Sequence, residues 1–229
     1  MSDRDPHLGQ PVYTAGQALE EARAVMVLIH GRGATAPHIL RLAGDLHHDG
    51  FAYVAPQAAG NAWYPQRFLA PLEQNEPFLS SALAAIERVL AQVEAAGIPK
   101  DRVMIGGFSQ GACLAAEFVA RHAGCCGGLF VLSGGLIGPP GTVWQYDGRL
   151  ERLPVFLGCG TADPHIPLDR VYETARVFSG MGAEVTERIY PNMGHTINQD
   201  EIDHVRDVMR AVSSGDHKGT STITAQNGP

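Results

Sequence analysis

Residues 102–122 read Arg-Val-Met-Ile-Gly-Gly-Phe-Ser-Gln-Gly-Ala-Cys-Leu-Ala-Ala-Glu-Phe-Val-Ala-Arg-His, and this stretch decides the predicted fold. The apolar residues 103–105 predict a short buried strand. A G-x-S-x-G pattern follows around Ser109, and the alanine-rich residues after it favour a helix. Between a strand and a helix, this pattern presents a serine hydroxyl on a strained turn at the edge of a sheet. Glycines are expected at 107 and 111 because side chains there would collide with the turn. Ser109 is therefore a candidate nucleophile.

The rest of the chain alternates predicted strands with predicted helices. Apolar runs predict strands at residues 11–15, 24–29, 51–55, 128–132, 154–159 and 184–190, and helical periodicity predicts helices at residues 37–48, 79–96, 168–180 and 200–211. This alternation predicts an α/β fold with a mostly parallel sheet flanked by helices, in a single domain over residues 1–212. Residues 1–10 are expected to form a loose lead-in, and residues 213–229 a flexible tail.

The composition indicates a globular protein and disfavours several functional classes. Of the 229 residues, 45% are hydrophobic and 18% are charged. The net charge is −7 and no basic block occurs, so nothing favours nucleic acid as a partner. No apolar run approaches the roughly 20 residues of a membrane-spanning helix, and we expect no membrane span and a cytoplasmic protein. The 4 cysteines have no C-x-x-C spacing, which predicts buried thiols and no metal site.

A serine hydroxyl becomes an effective nucleophile only when a nearby base accepts its proton. His195 is the candidate base because it lies between the last predicted strand and the last predicted helix, at the sheet edge where ligands bind. Asp163 follows another buried strand and is the candidate acid that orients His195. His165 is too close to Asp163 in sequence to be supported by it. The open alternatives are that Asp163 only caps the next helix, or that Asp169 or Asp147 is the acid.

The turn after the strand at residues 24–29 is rich in glycine and reads His30-Gly31-Arg32-Gly33. Glycine lets the backbone approach a substrate closely. We predict that the backbone N–H groups of Arg32 and Gln110 stabilise negative charge on a substrate oxygen. The Arg32 side chain is interpreted either as solvated or, alternatively, as the partner of a substrate carboxylate.

With these residues identified, the chain resembles the carboxylesterase/phospholipase family of α/β-hydrolases, which includes acyl-protein thioesterases and lysophospholipases. The resemblance rests on Leu28-Ile29-His30-Gly31, Gly107-Phe108-Ser109-Gln110-Gly111-Ala112, Leu132-Ser133-Gly134, Gly160-Thr161-Ala162-Asp163 with Ile166-Pro167, and Gly194-His195. It implies an α/β-hydrolase fold and an esterase without metal or cofactor. The triad would be Ser109, Asp163 and His195, with oxyanion amides at Arg32 and Gln110. A homodimer is also plausible for the family.

Two departures from the family pattern limit what the resemblance implies about substrates. The family's H-G-x-G-D turn has Ala34 in place of the aspartate, and its Trp-Phe-Asp segment is similar to Trp63-Tyr64-Pro65 here. Specificity for acylated proteins or phospholipids is therefore not carried over.

Two irregular segments, residues 61–78 and 136–152, are expected to wall the substrate pocket. The candidate substrate-binding residues are Trp63, Tyr64, Phe68, Leu69, Leu136, Ile137 and Trp144, each of which fits a plain core position equally well. No insertion is long enough for a large lid domain, so an open pocket for short- to medium-chain esters is expected. The predicted function is a serine carboxylesterase acting on a small-molecule ester. The alternatives are a thioesterase or lysophospholipase, and a non-catalytic binding protein with the same fold.

Overall fold

The computed structural model describes residues 5–214, and a seven-stranded sheet forms its centre. The strands are β1 (Val12–Gly16), β2 (Ala24–Ile29), β3 (Phe51–Pro56), β4 (Val103–Phe108), β5 (Gly128–Leu132), β6 (Pro154–Gly160) and β7 (Glu184–Tyr190). Their spatial order is β1-β3-β2-β4-β5-β6-β7. Only the β1–β3 pair in this sheet is antiparallel, so the predicted mostly parallel sheet is confirmed.

Helices cover both faces of the sheet, which explains why the central strands are continuous apolar runs. They are α1 (Ala36–Ile39), α2 (Leu42–Asp45), α3 (Phe78–Ala95), α4 (Gln110–Arg121), α5 (Leu168–Gly180) and α6 (Gln199–Ser214). Along β2, Val25 and Val27 face the core under α3, α4 and α5, whereas Met26 and Leu28 face the core under α1 and α6. None of the helices within residues 5–214 combines the length and apolarity needed to cross a membrane.

The helix predicted over residues 37–48 is wrong, because the structure has two four-residue helices there. At the break between them and in the second helix, the backbone N–H groups of Arg41, Ala43 and Gly44 donate to carbonyls three residues back rather than four. Gly44 also lowers the helical propensity of this stretch.

The last helix is longer than predicted at both ends. It begins at Gln199 because Asn198 and Glu201 form a reciprocal cap, in which each side chain accepts a 2.9 Å hydrogen bond from the other's backbone N–H. It ends at Ser214, so residues 213 and 214 of the predicted tail are helical. Residues 215–229 of that tail lie outside the described residues.

The loose lead-in predicted for residues 1–10 is wrong for the residues from Asp5 onward. His7 is only 2% exposed, and its backbone N–H donates to Ser81 Oγ at 2.8 Å. The Asp5 carboxylate bonds with Ser81 and lies 3.0 Å from the Arg88 guanidinium. These partners lie more than 70 residues away on α3, so a local sequence pattern could not reveal them.

At β2 the chain changes the side of the sheet to which it adds its next strands. From β2 the chain continues to β3 on one side, and β4 lies on the other side. Such a switch point opens a crevice beyond the carboxyl ends of the strands. The turn after β2 and the turn after β4 flank this crevice.

Candidate active site

The turn after β4 holds Ser109 in a strained backbone conformation. Its φ of 58° and ψ of −122° lie outside the regions that L-residues normally occupy. The flanking glycines make room for this turn, because a Cβ on either Gly107 or Gly111 would overlap the carbonyl oxygen of Ile29. The collision that the sequence predicted for side chains at these two positions would therefore be with the backbone of Ile29, the last residue of β2.

The structure brings the side chains of Ser109, His195 and Asp163 into one hydrogen-bonded line. Nε2 of His195 lies 2.8 Å from Ser109 Oγ, and its Nδ1 lies 2.7 Å from Asp163 Oδ2. A carboxylate can only accept, so Nδ1 carries the proton and Nε2 accepts from the serine hydroxyl. This is the tautomer that a base acting on Ser109 needs.

Asp163 uses its second oxygen to hold the loop on which it lies. Oδ1 accepts hydrogen bonds from the backbone N–H groups of His165 (2.8 Å) and Ile166 (3.1 Å). These bonds do not cap α5, which begins after Pro167 without a side-chain cap, so the interpretation of Asp163 as only a helix cap is wrong. Burial of Asp163 raises its pKa, but the hydrogen bonds from His195 and from the two backbone N–H groups outweigh this and lower the pKa below its usual value. The carboxylate, whose side chain is fully buried, therefore stays charged at neutral pH.

The loops that carry Asp163 and His195 are joined to each other. The backbone N–H of Ala162 donates to the Met193 carbonyl (3.0 Å), and that of Asn192 donates to Thr161 Oγ1 (2.8 Å). A Cβ on Gly160 would overlap the same Met193 carbonyl, so glycine permits this close approach. The distance between carboxylate and imidazole is consequently fixed by the backbone as well as by the side chains.

Two rings enclose the imidazole of His195. The Phe108 ring lies 4.7 Å away between centroids, and the His165 ring packs edge-on at 4.8 Å. These two contacts restrict the rotation of the imidazole. The His195 side chain remains 18% exposed, so it stays open to the crevice.

The backbone amides of Arg32 and Gln110 lie next to Ser109 and make no hydrogen bond within the described residues. The turn that carries Arg32 lies against Ser109, since a Cβ on Gly31 would be 3.3 Å from Ser109 Cβ. The Gln110 amide begins helix α4, whose positive end favours negative charge. Both groups are therefore available to a substrate oxygen.

The side chain of Gln110 fixes the aromatic segment that follows β3. Its Oε1 accepts from the Trp63 backbone N–H at 2.9 Å, and its Nε2 donates to the Tyr64 carbonyl at 2.8 Å. Trp63 in turn donates from its indole to the His30 carbonyl at 2.8 Å. Gln110 thus binds the turn at Ser109 to the aromatic segment, and Trp63 binds that segment to the β2 turn.

The side chain of Arg32 is exposed, as the solvated interpretation expects, and it also bonds to the protein backbone. Its guanidinium donates to the carbonyls of Tyr64, Pro65 and Gln66 at 2.8, 2.9 and 2.5 Å. Because these bonds run from the β2 turn to the aromatic segment, they hold the turn that carries the free Arg32 amide.

A cavity of about 270 Å³ opens beside Ser109. Its apolar wall is formed by Tyr64, Phe68, Cys113 and Ile166, and its rim carries Arg32, Arg67 and His165. Of the predicted substrate-binding residues, Tyr64 and Phe68 line this cavity.

The other five predicted substrate-binding residues do not line it. Trp63, Leu136 and Ile137 are at most 1% exposed in the core, and Leu69 and Trp144 pack against that core. The loop after β5 is bound to α5 instead, since the Arg170 guanidinium donates to the Leu136 and Gly138 carbonyls at 2.7 and 2.8 Å. Arg170 also lies 4.8 Å from the Trp144 ring.

Sequence reasoning missed Arg67, Cys113, His165 and Ile166 as cavity residues. The available signals were the positions of His165 and Ile166 directly after Asp163 and of Cys113 one helical turn after Ser109. No local pattern marks Arg67, which reaches the cavity only through the path of the irregular segment.

A model of the phospholipase/carboxylesterase family matches residues 16–213. The chain belongs to this family. Its members are hydrolases of the α/β-hydrolase superfamily, so the chain is an enzyme of the carboxylesterase, thioesterase and phospholipase group, as the resemblance predicted.

The family relationship extends over nearly the whole chain. A crystal structure of a phospholipase/carboxylesterase from Dyadobacter fermentans is 42% identical, superposes with a TM-score of 0.84 and covers 88% of this chain and 97% of that one. Acyl-protein thioesterase 1 of Saccharomyces cerevisiae is 29% identical over 81% of this chain and 91% of its own length. The mouse lysophospholipase-like protein 1 is 26% identical over 86% of this chain and 90% of its own length. The α/β-hydrolase fold is therefore established.

Proposed function

We propose that the protein is a serine carboxylesterase that hydrolyses short- to medium-chain carboxylic esters. The observation that carries this proposal is the line from Ser109 Oγ through His195 to Asp163, with distances of 2.8 and 2.7 Å, beside two free backbone amides. Nucleophile, base, orienting acid and oxyanion donors are the four parts that acyl transfer to a serine requires.

In the first step Ser109 attacks the ester carbonyl carbon while Nε2 of His195 accepts the hydroxyl proton. The oxygen of the tetrahedral intermediate accepts hydrogen bonds from the Arg32 and Gln110 amides, and the Asp163 carboxylate stabilises the imidazolium. The C–O bond to the alcohol then breaks, and the alcohol leaves with the proton from His195. The product of this step is an acyl-serine.

In the second step water replaces the alcohol and the sequence repeats. His195 accepts a proton from the water, the hydroxide adds to the acyl carbon, and the carboxylic acid leaves as Ser109 regains its proton.

The size of the cavity supports small acyl groups. At about 270 Å³ it lies just below the range of about 300–1,000 Å³ that is typical of pockets for drug-sized ligands. Across a series of 4-nitrophenyl esters from acetate to laurate, kcat/KM is expected to peak at short or medium length. A steady rise out to laurate would contradict this part of the proposal.

The Ser109→Ala variant tests the proposal directly. Its kcat for 4-nitrophenyl butyrate is expected to fall by about 10⁶-fold, as other enzymes lose when a catalytic serine is removed. A fluorophosphonate should label the wild-type protein at Ser109, as identified by peptide mass spectrometry, and should leave the variant unlabelled. Wild-type rates in the variant would end the proposal. An unlabelled wild-type protein that binds esters without hydrolysing them would favour the binding-protein alternative.

Thioester hydrolysis is a second candidate, favoured by the relatives named acyl-protein thioesterase. The same arrangement can attack both carbonyl types. Comparison of kcat/KM for butyryl esters and butyryl thioesters with matched leaving groups decides between them. A preference for the thioester of more than about tenfold, equivalent to about 1.4 kcal/mol, would reassign the activity.

A further inference from the structure

The lining of the cavity beside Ser109 carries positive charge, and the carboxylate of Asp163 is bonded to His195 outside that lining. This lining includes the residues Arg32 and Arg67 and no aspartate or glutamate. The chain as a whole is acidic, with 24 Asp and Glu against 17 Lys and Arg. Within residues 5–214, six arginines form ion pairs with carboxylates, and Arg32 and Arg67 belong to the larger group that forms none. A cleft of one charge in a protein of the opposite charge attracts ligands of complementary charge.

The two arginines differ in how much of their hydrogen-bonding capacity is free. Arg32 is held by the three carbonyls of residues 64–66, so its charge is fixed at the rim. Arg67 is exposed, and its guanidinium makes one long contact, 3.4 Å from Nη2 to the His165 carbonyl. A guanidinium has five N–H donors in a planar fork, which matches a carboxylate. Arg67 therefore retains donors for a ligand, and Arg32 contributes a fixed charge beside it.

We propose that the preferred substrates are esters that carry a carboxylate, with Arg67 binding that carboxylate and Arg32 strengthening the local positive field. This proposal rests on the esterase function proposed above and deepens it. The sequence suggested Arg32 as the partner of a substrate carboxylate, but three of its five N–H donors already bond to backbone carbonyls, whereas Arg67 makes one long contact and is the better partner. The ester carbonyl remains at Ser109 while the charged end lies at the rim.

Two matched pairs of esters test the proposal and show on which side of the ester the charge is recognised. For the acyl side, mono-4-nitrophenyl glutarate is compared with 4-nitrophenyl valerate. For the alcohol side, 4-acetoxybenzoate is compared with 4-methylphenyl acetate. The quantity measured is the ratio of kcat/KM for the anionic ester to kcat/KM for the neutral one, in the wild type and in the variants. Comparing this ratio between proteins cancels the intrinsic reactivity of each ester.

In Arg67→Gln the ratio is expected to fall by about tenfold in at least one pair, and Arg67→Lys should recover only part of it because lysine lacks the planar fork. The control Arg176→Gln makes the same change in net charge on the exposed side of α5, outside the cavity, and should keep the wild-type ratio. The wild-type ratio should also decrease as ionic strength rises.

An unchanged ratio in Arg67→Gln for both pairs would overturn the inference, as would an equal fall in Arg176→Gln. Hydrolysis of the neutral esters provides an independent check on the underlying activity. If the wild-type protein hydrolysed none of the four esters, the proposed function itself would fail, and this inference with it.

Discussion

The carboxylate of Asp163 lies 2.7 Å from Nδ1 of His195, and the same carboxylate accepts two backbone hydrogen bonds from the loop that follows it. One side chain thus orients the imidazole and shapes the loop that supplies the carboxylate. Because the backbone of this loop is also bonded to the loop carrying His195, Asp163 and His195 form one connected unit.

Replacement of this carboxylate tests whether it sets the tautomer of the imidazole. In Asp163→Asn the side chain can donate to Nδ1, which would leave the proton on Nε2 and prevent it from accepting the Ser109 proton. The kcat for 4-nitrophenyl butyrate is expected to fall by about 10³- to 10⁴-fold, and fluorophosphonate labelling should slow in parallel. Circular dichroism should show that the variant is folded. A folded variant with near wild-type kcat would contradict the assigned role of Asp163.

Much of the fold could be predicted from the sequence because its signals are local. Strands such as β5 and helices such as α5 begin and end at the predicted residues, since a buried parallel strand is a continuous apolar run between turn residues. The positions of Ser109, Asp163 and His195 followed from the rule that parallel strands present their carboxyl ends at one edge.

The features that could not be predicted depend on contacts between distant segments. His7 is buried by residues 52 to 74 positions away, and Arg67 meets His165 across 98 positions. The apolar residues of the loop after β5 looked like pocket residues, but hydrophobicity alone does not distinguish a pocket wall from the core. In the structure the Arg170 guanidinium, which is only 3% exposed, binds this loop against α5.

The steric role of Gly111 predicts a large effect from one added methyl group. In Gly111→Ala the new Cβ would overlap the carbonyl oxygens of Ile29 and His30, so the turn at Ser109 must shift. We expect a loss of unfolding free energy of about 1–3 kcal/mol, together with a severe loss of kcat. Urea unfolding and steady-state kinetics measure the two effects. In the control Gly44→Ala the new Cβ meets no atom within 4 Å, so a neutral or slightly stabilising effect is expected. Equal stability of the two variants would contradict the steric explanation.

The buried hydroxyl of Tyr64 predicts a substitution that does not destabilise the protein. This hydroxyl lies beside the Cys113 thiol and has no hydrogen-bond partner of normal geometry among the described residues. An unsatisfied buried polar group costs about 1–3 kcal/mol, so Tyr64→Phe is expected to be neutral or more stable by about 1 kcal/mol in urea unfolding.

Tyr53→Phe is the matched control for this prediction, because Tyr53 is equally buried and its hydroxyl donates to the Leu46 carbonyl at 2.5 Å. Its loss leaves that carbonyl without the donor and should cost about 1–2 kcal/mol. The argument fails if Tyr64→Phe proves as destabilising as Tyr53→Phe.

The buried Glu201 predicts a pH dependence of stability near neutrality. Burial raises its pKa from 4.5 to about 7, and Oε1 has no hydrogen-bond partner in the described part of the chain. Between these pH values the folded protein retains a proton that the unfolded chain releases. The unfolding free energy therefore decreases as pH rises through this window, by up to about 3 kcal/mol in total.

Glu201→Gln should remove this dependence, because glutamine does not titrate. We expect the variant and the wild type to have similar stability near about pH 5, and the variant to be the more stable of the two near about pH 8. Urea unfolding at several pH values measures the difference, with Glu20→Gln on the exposed surface as the control for loss of one charge. This control should follow the wild-type pH dependence. Parallel curves for Glu201→Gln and the wild type would show that Glu201 is ionised in the folded protein throughout this range, contrary to the raised pKa.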